Sequence, residues 1–143
     1  MPVNIKQLPG ESIITATVTE PFDPERDMPV MFAEFIRLRL TIQGDVALII
    51  DVSPTTNHPD SFSRMAFALS KAAQGIKTGR EVGINRPPIT IFVGSDPIAA
   101  LASQAMGQEQ YGGVTGHLCT SRDEALALAR AKLSPDPPVQ DKP

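Results

Sequence analysis

"VALIIDVS", Val46 to Ser53, decides the fold. An unbroken apolar run of this length, ending in a polar loop, is the signature of a parallel strand covered on both faces. It predicts a central strand. The polar stretch "PTTNHPD" follows, and then "SFSRMAFALSKAAQG" sets Phe62, Met65, Leu69, Ala72 and Ala73 on one helical face. Asp60 or Ser61 supplies the N-cap and Gly75 the stop.

Working outward, "VNIKQLPGESIITATVTEPF" reads as two strands joined at Pro9-Gly10-Glu11, with Ile13, Ile14, Thr15, Thr17 and Val18 in the second. That is a hairpin. "DPERDMPVMFAEFIRLRLTIQGD" carries Met31, Phe35, Leu38 and Ile42 at helical spacing and stops at Gly44. The alternation Ile36, Leu38, Leu40, Ile42 would also suit a strand, but the length of the segment favours a helix. "GIKTGREVGINRPP" has no clear period and reads as a long connection. "ITIFVGS", Ile89 to Ser95, is a second buried-type strand, and a helix follows from Asp96 with Pro97 in its first turn. "GHLCTSRDEALALARAKL" gives a short strand and a last helix opened by the capping box Ser121-x-x-Glu124.

Two strands followed by alternating helices and strands predict an α/β single-domain fold. It has a mixed, mostly parallel sheet with an N-terminal hairpin and about four helices. Residues 1–133 form that domain. Residues 134–143, "SPDPPVQDKP", read as a disordered C-terminal tail.

Composition narrows the function. A chain of 143 residues, 41% hydrophobic, suffices for one core of ordinary size. The net charge is −3 and no basic cluster is present, which argues against nucleic acid as a partner. No apolar run approaches the roughly 20 residues of a membrane helix, and none reads as a signal peptide. The single cysteine, Cys119, fits a reducing cytoplasm.

The order of "VALIIDVS", a loop and amphipathic helix, "ITIFVGSDPIAALASQAM" and "HLCTSRDEALALARAKL" resembles the SpoIIAA-like branch of the STAS fold. Anti-sigma-factor antagonists and sulfate-transporter tails carry this domain, and the resemblance covers Met1 to Leu133. It implies a regulatory, protein-binding role. In the phosphorylation-switched members a strand ends in Leu-Asp-x-Ser and the next helix opens with Asp-Ser-Ser-Gly. Asp51 and Ser53 match the first pattern and Asp60-Ser61 part of the second, so the resemblance makes Ser61 the phosphate acceptor. Phe62 and Ser63 stand where Ser-Gly is expected, and the loop is about one residue longer. A phosphate would add roughly −1.5 to −2 charge at this surface. The plainer reading is that Asp60 or Ser61 only caps a helix.

Other residues carry less. His58, at the carboxyl end of a strand, sits where α/β folds place ligands, but has no neighbouring nucleophile in the sequence. Metal binding by His58, His117 and Cys119 lacks a fourth ligand, and His117-x-Cys119 reads as one face of a strand. The loop "GSDP" with Ser95 and Asp96 has an acid where a phosphate would bind, so it is no nucleotide loop. Arg122 and Arg130 read as a solvated helix face. No catalytic, cofactor or metal set emerges.

These readings favour a non-enzymatic interaction domain with an unknown protein partner. The candidate loop is Asp51, Ser53, His58, Asp60, Ser61 and Ser63, with Ser95 and Asp96 in a second loop. The alternative is a carrier of a lipid or other small apolar ligand, because SpoIIAA-like domains are similar to the CRAL-TRIO fold. A flavodoxin-like enzyme comes third. A homodimer is expected through Phe32 and Leu40, which the helical pattern leaves on the outer face of the first helix.

Overall fold

A computed structural model describes residues 3–55, 71, 74–84, 88–94, 100, 104 and 116–133. Five strands form one sheet in the order β1-β2-β3-β4-β5: β1 is Val3–Gln7, β2 Ile13–Val18, β3 Ala47–Asp51, β4 Ile89–Val93 and β5 Gly116–Cys119. Among the described strands only β1 runs antiparallel to its neighbour. The apolar run that begins at Val46 therefore forms the middle strand of an α/β sheet.

Helix α1 spans Pro24–Arg39, the described turns of α2 cover residues 74–81, and α3 spans Arg122–Leu133. Strand order along the sheet follows chain order, so every right-handed crossover steps the same way and must pass over the same face. α1 and α2 accordingly share a face, where Gly75 of α2 lies against the Phe32 ring of α1. α3 follows the last described strand and covers β3, β4 and β5 on the other side. Two cores result. One joins Val3, Ile14, Ala16, Val18 and Leu48 to Met28, Met31 and Phe35 of α1. The other joins Ile13, Ala47, Ile49, Ile91, Val93 and Cys119 to Ala125 and Ala129 of α3.

Local chemistry explains the element ends. The Glu11 N–H donates to the Leu8 carbonyl at 3.1 Å, and Gly10 between them has φ +75°. With Pro9 before it, this is a type II turn, which needs glycine at its third position. Asp23 caps α1 by accepting from the Glu25 N–H at 3.0 Å, and Asp27 returns the favour to the Asp23 N–H at 2.8 Å. Asp27 is buried, and two hydrogen bonds from Arg26 hold its carboxyl below the usual range.

Three sequence expectations need correction. α1 ends at Arg39 rather than at Gly44, because the Thr41 hydroxyl and N–H both donate to the Leu38 carbonyl, at 2.7 and 3.1 Å, and turn the chain early. The stretch after Gly75 is not an irregular connection. Residues 74–81 are helical, and the stop lies at Gly83, with φ +99°. There the Ile84 N–H reaches the Gly79 carbonyl at 2.8 Å and the Gly83 N–H the Arg80 carbonyl at 3.1 Å, a Schellman motif. Finally, Phe32 is half-buried beneath α2, while Leu40 remains 59% exposed, so the outer face expected on α1 keeps only one of its two named residues. Of the helix expected from Asp96, residues 100 and 104 are described, and both are helical. The tail lies outside the described residues.

A Cβ on Gly75 would stand 2.7 Å from the Phe32 ring. Gly75→Ala should therefore destabilise the protein by about 1–3 kcal/mol in urea unfolding, although alanine is the better helix former by about 1 kcal/mol. Phe32→Leu in the same chain should recover most of the loss. A gain in stability from Gly75→Ala alone would contradict the helix contact.

Candidate functional site

The site is built where the parallel strands end. Register places Thr17 beside Asp51, Asp51 beside Val93 and Val93 beside Cys119, so these four form one row across the carboxyl edge of the sheet. Side chains alternate along a strand, and this row points to the α3 side. After Thr120 and Ser121, α3 begins with Arg122. Its first turn therefore starts directly over the row.

Strands lie about 4.8 Å apart, so Asp51 is about 10 Å and Thr17 about 14 Å from the line of β5. An arginine side chain is shorter than that gap, so the reach depends on α3 itself lying back over β4 and β3, against which it packs. Arg122 Nε donates to Asp51 Oδ2 at 3.1 Å, and Arg122 Nη2 donates to the Thr17 hydroxyl. The Asp51 side chain is 10% exposed and that of Arg122 43%. A cation in the first turn of a helix opposes the helix dipole, and the nearby carboxylate offsets that penalty.

The other oxygen of Asp51 organises the loop. Oδ1 accepts from the Ser53 N–H at 3.0 Å and from the Ser53 hydroxyl at 2.6 Å. An aspartate that bonds the backbone two residues on forms an Asx turn. It starts the 3-10 turn Ser53–Thr55. Each oxygen of this buried carboxylate thus serves one element, Oδ1 the turn and Oδ2 the helix.

Of the residues expected at a site, Asp51 and Ser53 come together as described. His58, Asp60, Ser61, Ser63, Ser95 and Asp96 lie outside the described residues. The arginines of α3 are exposed, as expected of a solvated face, and each also makes an ion pair. Arg122 reaches the sheet row, and Arg130 makes a two-pronged pair with Glu11 at 2.9 and 3.0 Å near the opposite end of the sheet. The Arg130 partner pulls the Glu11 carboxyl below its ordinary range, and the same hydrogen bond raises the guanidinium. Sequence spacing hid both pairs, since Arg122 and Asp51 are 71 residues apart and Arg130 and Glu11 are 119 apart. Arginine at the very first position of a helix, where the dipole disfavours it, was the signal available.

The capping box holds with a shift of one residue. The Ser121 hydroxyl oxygen accepts from the Glu124 N–H at 3.1 Å, while Glu124 Oε1 takes the Thr120 N–H at 2.9 Å. His117 and Cys119 share a strand face, as expected. Burial pushes the Cys119 thiol up, and Glu124 adds to the effect, so this sulfur is a core group. Among the described residues no three His, Cys, Asp or Glu side chains are grouped to hold a metal, and no helix is long and apolar enough to cross a membrane. A shallow cleft of about 240 Å³ lies at the other end of α3, lined by Glu11, Ser12, Ile13, Arg130 and Leu133.

Fold and site together define an α/β protein with a five-stranded mixed sheet, whose carboxyl edge carries a cross-linked polar cluster. No protein-family model matches the chain, and no curated protein matches it.

Removing the Asp51 carboxylate strands the Ser53 and Arg122 donors at once. Asp51→Ala should cost about 2 kcal/mol in urea unfolding. Glu11→Ala, which breaks an exposed pair, should cost clearly less. Equal losses would show that Asp51 is no more than another surface acid.

Proposed function

We propose that this chain is a non-enzymatic regulatory or protein-interaction domain of STAS-like type, and that a protein partner reads the carboxyl edge of its sheet. The observation that carries this reading is the commitment of Asp51. In α/β folds the carboxyl ends of the strands are where ligands gather. Here the acid at the end of the central strand spends both oxygens on scaffolding, one on the Ser53–Thr55 turn and one on Arg122. An acid so occupied shapes a surface, whereas a general base needs an oxygen turned toward a substrate proton.

Of the phosphorylation-switch pattern in the STAS-like resemblance, the Asp51-x-Ser53 ending of β3 lies in the described residues and Asp60-Ser61 outside them. By that resemblance Ser61 is the residue at which a phosphate would switch partner binding. The same reading places the protein in the cytoplasm and makes it a homodimer, with the exposed Leu40 at the outer end of α1 available to a second copy.

Native mass spectrometry of the protein purified from its own host tests the proposal, with Ser61→Asp and Ser61→Ala run beside it. The expected result is a dimer that holds a second protein, weakly in Ser61→Asp and normally in Ser61→Ala. A bound small apolar molecule in place of a protein would overturn the reading in favour of a ligand carrier. Identical behaviour of the two variants would remove the switch.

A further inference from the structure

We infer that Arg122 is a positioning residue for the Ser53–Thr55 turn, so that the first turn of α3 and the mouth of β3 form one coupled unit. The biological meaning rests on the reading of this edge as the partner surface. The coupling itself rests on geometry alone.

A carboxylate turns readily about its last torsion, for which the rotamer wells are broad. Oδ1 of Asp51 anchors the start of the turn, through the Ser53 N–H and hydroxyl. That oxygen stays in place only if the plane of the carboxylate is fixed, and the bond from Arg122 to Oδ2 fixes it. Arg122 is itself anchored to the Thr17 hydroxyl on β2. One guanidinium thus ties β2, β3 and α3 together, using two donors of its rigid fork in different directions.

The geometry has a consequence for binding. A partner group that drew Arg122 away would free Oδ2 and loosen the Ser53 turn, and a partner that ordered the turn would hold Arg122 more firmly. Coupling of this kind acts equally in both directions. Arg130, on the same helix, supplies an internal comparison, because its pair with Glu11 lies near the other end of the sheet from the turn.

Hydrogen exchange of the free protein, followed residue by residue by NMR, tests the inference. The readout is the exchange rate of the Ser53 amide relative to that of Leu48 in the core of β3. Arg122→Gln should raise this ratio roughly tenfold, in keeping with loss of a charge-assisted hydrogen bond. Thr17→Val should raise it by a smaller factor, and Arg130→Gln should leave it unchanged. No change in Arg122→Gln would overturn the inference, as would an equal rise in Arg130→Gln, which would mean that any loosening of α3 suffices. Should Arg122→Gln fail to fold, Thr17→Val carries the test with the same readout. Because no partner enters the experiment, the expected ratios in a protein that binds nothing would sink the functional reading and leave the coupling standing.

Discussion

The carboxylate of Asp51 is the point on which this end of the molecule depends. It is nearly closed from water, and a buried carboxylate is tolerated only where donors surround it. The donors are the N–H and hydroxyl of Ser53 just ahead of it and Arg122 of α3, which donates in turn to the Thr17 hydroxyl on a neighbouring strand. The requirement to satisfy one acid therefore ties together the ends of β2 and β3, the Ser53 turn and the start of α3. Arginine rather than lysine is suited to the task, since only a planar fork bonds an acid and a hydroxyl in separate directions.

Topology brings these groups within reach. With strands laid side by side in chain order, the crossover helices share one face. The last helix is left to cover the other. It does so with Ala125 and Ala129, small enough to let its backbone approach the sheet closely. Packed over β3 and β4, the helix brings the side chain of its first residue within reach of β3 and β2. At its far end Arg130 meets Glu11 of the hairpin turn, so the helix is tied at both ends with small residues between.

Most of the fold was legible in the sequence because its signals are local. The apolar run at 46–50, the β-branched series in β2 and the Pro-Gly turn each determine their own structure with little help from afar. The misreadings share a cause of the opposite kind. Gly75 looks like a helix stop, yet its role is set by the ring of Phe32, far earlier in the chain, which leaves no room for a Cβ there. Gly83 was the true stop, legible in principle because an apolar residue, Ile84, follows it as the Schellman motif prefers. For the site, Asp51 and Ser53 could be read from one strand end, since their bond spans two residues. Arg122 and Thr17 could not, because only strand register and helix placement bring them there.

The central claim is that Asp51 and Arg122 act as one unit, and a double-mutant cycle of Asp51→Asn and Arg122→Gln measures that most directly. Urea unfolding of the four proteins gives the coupling. If the pair organises this edge, the double variant should lose less stability than the sum of the single variants, by about 1–3 kcal/mol. Additive losses, with a coupling near zero, would contradict the account and reduce the pair to two side chains that lie close together.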